Sequence, residues 1–161
     1  MLTWKIEPHG AQERVIVTGR ITEETPLAPL ADAISASQVV LDLAAVERIN
    51  SLGCREWLLL MQTLENRGIE LALERCSVAF VQQLAMILGF AGNGVVRSVY
   101  APYCCAGCGH EELILLSLDS ELGPSTFQTQ TCRPCGGTLE FDDLPENYQT
   151  LSIGLARRAS S

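Results

Sequence analysis

The sequence predicts an α/β domain, a mixed sheet with helices, followed by a small C-terminal β unit organised by cysteines. Three observations carry this reading. Through the first hundred residues, short apolar runs of strand length alternate with longer runs whose apolar residues recur at helical spacing. The cysteines are unevenly placed: Cys54 and Cys76 stand alone, whereas Cys104, Cys105, Cys108, Cys132 and Cys135 crowd the end. Charge is uneven too, with 11 acids and 8 bases in residues 1–100 against 8 acids and 3 bases in residues 101–161. The expected organisation is a domain over 1–100, a second unit over 101–145 and a tail over 146–161.

Taken in order, "TWKIEP" and "RVIVTGRI" read as short strands joined near Gly10, which suggests an antiparallel hairpin. "TPLAPLADAIS" places Leu27, Leu30, Ala31 and Ile34 at helical spacing. "QVVLDLAAV" is the nearly unbroken apolar run of a strand buried on both faces. After a corner at Asn50, "CREWLLLMQTLENRG" puts Trp57, Leu60, Met61 and Leu64 on one helical face and stops at Gly68, a C-terminal capping residue. "IELALE" is a further strand. "VAFVQQLAMILGFAG" predicts a third helix with Phe80, Leu84 and Leu88 as its buried stripe, and "VVRSVYA" a last strand. Strands joined by helices lie parallel with right-handed crossovers, so the sheet is antiparallel at its start and parallel thereafter.

Composition narrows the function classes. A chain of 161 residues with 47% hydrophobic and 19% charged residues can bury one good core. Its net charge of -8 leaves no basic patch for neutralising phosphates, which argues against a nucleic-acid partner. "MLTWKIEPHG" lacks a basic start followed by an apolar stretch, and no apolar run approaches the ~18 residues of a membrane span. The expectation is a cytoplasmic protein with no membrane span. No nucleophile beside a base, no phosphate-binding glycine loop and no catalytic carboxylate pair stands out in the first hundred residues.

The strand "VVLDLAAVERI", the corner "NSLGCR", the amphipathic helix and the strand "IELALE" together resemble the sulfate transporter and anti-sigma-factor antagonist (STAS) domain, over roughly residues 2–100. In antagonists of that family the strand ends in an Asp-Ser-Ser/Thr-Gly-type motif. Its first hydroxyl residue is phosphorylated by a partner kinase that doubles as an anti-sigma factor. The resemblance implies that Ser51 is the phosphoacceptor, Gly53 the motif glycine, and an anti-sigma-factor kinase or other signalling regulator the partner. Here Asn50 stands where the family usually has aspartate, and Leu52 where a second small hydroxyl residue is common. The family's C-terminal helix is missing, because "VYAPYCCAGCGH" leads straight into cysteines.

Two readings of Ser51 follow from its position at a helix start. Its hydroxyl can accept a backbone N–H as a cap worth roughly 0.5–2 kcal/mol. Equally, a phosphate there brings about -1.5 to -2 charge to the positive end of the helix, where the fold tolerates it. Arg48 and Arg55 flank the corner and can pair with a phosphate or stay solvated. Either way the corner is expected to face a partner. The alternative to a phospho-controlled antagonist is a scaffold of the same type without a switch, assembling a larger signalling complex.

"CAGCG" and "CRPCGG" are two Cys-x-x-Cys units, each followed by glycine, about two dozen residues apart. Tetrahedral zinc needs four thiolates, and each such turn supplies two, with glycine letting the backbone curl toward the sulfurs. The segment resembles a zinc ribbon over residues 102–141, with Cys105, Cys108, Cys132 and Cys135 as ligands of a structural Zn2+. Cys104 directly precedes Cys105 and either reaches Cys108, the Cys-x-x-Cys spacing favouring Cys105; His110 is a further donor. A redox dithiol is the rival reading, but such pairs sit at the start of a helix and no helix pattern follows either unit. "EELILL" and "STFQTQT" are expected to pair as a hairpin across "LGPS", "LPENYQTL" to dock on the body, and "ARRASS" to fray. Acids outnumber bases in the ribbon, which suits a protein partner or the neighbouring domain.

Overall fold

The computed structural model describes residues 1–118, 127–148 and 151. Its elements run β1 (Thr3–His9), β2 (Gln12–Ile21), α1 (Ala28–Ala33), β3 (Gln38–Ile49), α2 (Ser51–Asn66), β4 (Glu70–Glu74), α3 (Val78–Met86) and β5 (Val95–Val96), then β6 (Ser98–Cys105), β7 (Glu111–Ser117), β8 (Gln130–Thr131) and β9 (Thr138–Phe141). The first sheet has the order β1-β2-β3-β4-β5. β1 and β2 form an antiparallel hairpin, while β2, β3, β4 and β5 are parallel neighbours. This is the mixed sheet with helices that the sequence predicts.

The helices form where the apolar spacing places them. Leu27, Leu30, Ala31 and Ile34 are all buried around α1, and Trp57, Leu60, Met61 and Leu64 along α2. Helix α2 stops in a left-handed glycine: Gly68 has φ 70°, its N–H bonds Glu65 O and the Ile69 N–H bonds Leu64 O. That pattern closes the last turn, and the buried Leu64 and Ile69 complete it. Helices α2 and α3 meet through aromatic rings, Trp57 lying 5.0 Å from Phe80, and the Trp57 indole N–H donates to Phe90 O at 2.8 Å. The third helix is shorter than expected. It ends at Met86, Ile87 is extended, and Leu88, predicted to belong to the buried stripe, is fully exposed in the turn that follows. Gly89 and Gly92, both at positive φ, turn the chain so that Phe90 reaches the core instead.

The second sheet has the order β7-β6-β9-β8. Two expectations change here. "VVRSVYA" is not one strand: Val95–Val96 joins the first sheet and Ser98–Cys105 begins the second, so the division expected near residue 101 falls inside β6. "EELILL" pairs antiparallel with β6, and Gln130–Thr131 pairs with β9, so among the described residues these two segments are not hairpin partners. The "LGPS" turn and the "ARRASS" tail lie outside the described residues.

The two sheets are stitched together. Cys76 bridges Val99, with Cys76 N–H bonded to Ser98 O and Tyr100 N–H to Cys76 O. Residues 145–148 are helical, and Tyr148 docks as expected, fully buried with its hydroxyl donating to Tyr100 O at 3.0 Å. Phe127, Phe141 and Tyr103 pack around it, continuous with the core of the first sheet. Asp42 supplies a polar link: buried in β3, it accepts from Arg14 at 2.8 Å, Arg75 at 3.1 Å and the Ala44 N–H at 3.2 Å. Arg75 also donates to the Tyr100 hydroxyl of β6. Three donors satisfy one buried carboxylate, which is what makes its burial tolerable.

Candidate functional site

Two constellations stand out, one at the β3–α2 corner and one between the cysteine turns. At the corner the capping residue is Asn50, not Ser51. Asn50 is extended (φ -95°, ψ 177°), and its side-chain Oδ1 accepts from the Gly53 N–H at 2.7 Å. Ser51 is the first helical residue, and its side chain is exposed. The plain reading of Ser51 as a cap is therefore corrected. Its hydroxyl is left on the surface at the positive end of a helix of 16 residues.

The corner is held on three sides. Asn50 N–H donates to Ile21 O at 3.2 Å, tying the helix start to the end of β2. Gly53 packs directly on the same carbonyl: a Cβ built there would stand 1.9 Å from Ile21 O. The Asn50 amide Nδ2 donates to Glu23 Oε2 at 2.7 Å, which lowers the Glu23 pKa. Around this frame the exposed surface holds Ser51, Arg48, Arg55 and two leucines, Leu52 and Leu59, exposed by 52% and 51%. Both leucines lie on α2, at its second and ninth residues, and are half open to water.

Glu23 gives a reason for an amide at position 50. Aspartate caps helices as well as asparagine does, but an aspartate at position 50 would set a carboxylate where the Glu23 carboxylate now accepts an amide. Asn50→Ala is expected to destabilise the fold by about 1 kcal/mol through loss of the cap. Asn50→Asp keeps the cap yet also destabilises, and Glu23→Gln restores it. Urea unfolding of the three variants checks this.

The cysteine turns converge. The sulfurs of Cys105, Cys108, Cys132 and Cys135 all lie within 4.8 Å of one another. Cys105 and Cys135 are 3.5 Å apart and Cys108 and Cys132 3.7 Å. Four sulfurs at ~2.3 Å from one tetrahedral zinc must stand about 3.8 Å from each other, so this donor set fits such an ion. The turns are also built alike. Cys105 N–H bonds His110 O and Gly109 N–H bonds Cys105 O; Cys132 N–H bonds Gly137 O and Gly136 N–H bonds Cys132 O. Gly109 and Gly136 have φ of 77° and 74°, the curl that the sequence assigns to glycine.

Backbone N–H groups favour charge on the sulfurs. Cys108 N–H and Gly107 N–H point at Cys105 Sγ and lower its pKa to about 6, the Cys108 N–H most of all. Burial acts the other way on Cys132, pushed up to about 12. Cys104 is outside the cluster: β6 turns Cys105 inward and Cys104 to the other face, where desolvation raises its pKa. His110 is also outside, its Nε2 3.9 Å from Glu112 Oε1. Gly137 was not singled out by sequence, yet a Cβ there would come within 3.1 Å of Cys135 Sγ and 3.4 Å of Cys105 Sγ. Its signal is the second glycine of "CRPCGG".

Among the described residues no helix is long and apolar enough to cross a membrane. No family model and no curated protein matches the chain. Among solved structures, an anti-sigma factor antagonist from Mycobacterium paratuberculosis is similar to it over 60% of this chain and 85% of that chain, with 24% identity and a TM-score of 0.45.

Proposed function

We propose that this chain is a non-enzymatic, cytoplasmic regulatory module of the STAS type, which binds a protein partner through the β3–α2 corner and is phosphorylated on Ser51. The partner is an anti-sigma-factor kinase or another signalling regulator. The observation that carries the reading is the exposed Ser51 hydroxyl at the start of α2, freed from capping by Asn50. Added phosphate meets the helix dipole and the flanking Arg48 and Arg55 without disturbing the core. It also brings charge and bound water into a surface made attractive by Leu52 and Leu59, so phosphorylation weakens the complex. Ser51→Asp is expected to weaken partner binding ~10-fold or more, while Ser51→Ala binds as wild type, read by titration calorimetry.

The test of the switch itself is peptide mapping by mass spectrometry of the chain purified from its own cells. Phosphate on Ser51 supports it. A Ser51 without phosphate under every growth condition leaves the same corner as the contact surface of a constitutive scaffold, a reading that the uncharged Asn50 favours. Zn2+ on Cys105, Cys108, Cys132 and Cys135 is the second part of the proposal. Four thiolates leave no open position, so the ion would hold the second sheet together and take no part in chemistry. The same spectrum, recorded under native conditions, counts the metal.

A further inference from the structure

Each cysteine turn offers one buried residue and one exposed one. Cys105 and Cys132, which open the two turns, are buried, whereas Cys108 and Cys135, which close them, are exposed. Two close approaches cross from one turn to the other. The sulfur of exposed Cys135 stands 3.5 Å from that of buried Cys105, and the sulfur of exposed Cys108 stands 3.7 Å from that of buried Cys132. Each cysteine open to water and to small oxidants therefore has a sheltered sulfur facing it from the opposite turn. Reactivity toward oxidants follows thiolate character and exposure, so the two members of each pair have different parts to play.

We propose that the cluster is a peroxide-sensitive clasp, which oxidation closes with two disulfides between the turns, Cys105–Cys135 and Cys108–Cys132, in place of the metal ion. The zinc reading supplies only the starting state; the pairing rests on the sulfurs themselves. The thiolate of Cys108 or Cys135 attacks one oxygen of hydrogen peroxide: the O–O bond breaks, an S–O bond forms and hydroxide leaves. The buried sulfur across the gap then attacks the sulfenic sulfur, and the S–S bond forms as a second hydroxide leaves. Two peroxides thus take four electrons from four thiolates and yield two disulfides, four hydroxides and free Zn2+. Bonded sulfurs stand about 2.05 Å apart, so each pair has roughly 1.5 Å left to close. Links within the turns, Cys105 to Cys108 and Cys132 to Cys135, use the same electrons but leave the turns untied. The crossing links join residues 30 and 24 positions apart, so each also restrains the unfolded chain. β8 and β9 pair over only two residues, which leaves the second sheet dependent on such a tie once the ion is gone. Cys104 lies on the other face of β6 and takes no part.

The test treats the full zinc-loaded chain with two equivalents of hydrogen peroxide. A chromophoric chelator reads the zinc released, and peptide mapping after alkylation of the denatured chain reads the links. The expected result is complete zinc release, Cys105 joined to Cys135, Cys108 joined to Cys132, and Cys54, Cys76 and Cys104 alkylated. The oxidised chain should melt above the reduced chain stripped by a chelator, and Cys104→Ser should behave as wild type. Links within the turns, sulfinic acids without links, or zinc retained under excess peroxide each overturn the proposal. Metal content measured before the oxidant is added keeps the two readings apart. A chain that arrives without metal fails the zinc reading, and the crossing links are still required of it: their absence there overturns the clasp as well.

Discussion

Cys132→Ser is expected to abolish metal binding and to lower the melting temperature by about 10 °C or more. Cys132 is, with Cys105, one of the two buried members of the cluster, and its sulfur lies 3.7 Å from Cys108 Sγ. A hydroxyl in its place is a poor zinc ligand, and three sulfurs with an open position hold the ion far less tightly. Structural zinc contributes apparent binding energies of ~10–16 kcal/mol in small metal-dependent peptides, and each kcal/mol moves the melting point of a domain of this size by roughly 2–4 °C. The loss spreads beyond the two turns. β8 pairs β9 for only two residues, and β9 in turn carries Leu139 and Phe141 into the core beneath Tyr148. Stoichiometry by elemental analysis should fall from one zinc per chain to none, and a strong chelator should reproduce the shift in wild type. A metal-free wild-type chain whose four thiols cycle as a reactive dithiol pair would instead revive the redox reading.

Much of this fold is legible in the residue pattern, for identifiable reasons. Period-2 and helical patterns expose the buried stripes directly, so the hairpin, the parallel strands and the Trp57 face of α2 are readable from residue spacing alone. The cysteine turns are readable because a metal site demands a local spacing, and β6 resolves the Cys104–Cys105 ambiguity by simple alternation of faces. What escaped depends on residues far apart in sequence. Leu88 continues the helical pattern of α3, but two left-handed glycines deliver Phe90 to Trp57, and that tertiary contact outweighs the pattern. "EELILL" carries no label for its partner, and the choice of β6 is made by the closure of the second sheet. The role of Asn50 needed Glu23, 27 residues away, to explain it.

The corner glycine is the case in which sequence named the residue and structure supplied the cause. Gly53 stands in the first turn of α2, and glycines in a first helical turn are commonly read as freedom of the backbone. Here no left-handed conformation is involved; the cause is space. A methyl at position 53 would meet Ile21 O at 1.9 Å, Ile21 C at 2.5 Å and Thr22 N at 3.0 Å, all backbone atoms that no rotamer change can move aside. Relief requires lifting the start of α2 from the end of β2. That movement stretches the Asn50 N–H bond to the same carbonyl and disturbs the cap that Gly53 N–H makes with Asn50. Gly53→Ala is therefore expected to cost about 3 kcal/mol or more in urea unfolding, at the upper end of overpacking substitutions. Gly10→Ala separates this cause from backbone strain: Gly10 has φ 62° with nothing within 4 Å of a built Cβ, so its cost should stop near the ~1–2 kcal/mol of a left-handed alanine. Equal losses in the two variants would contradict the steric account. If the steric account and the proposed contact at this corner both hold, the same displacement carries Ser51 and Leu52 out of register with the partner, so Gly53→Ala should lose partner binding even at temperatures where it remains folded.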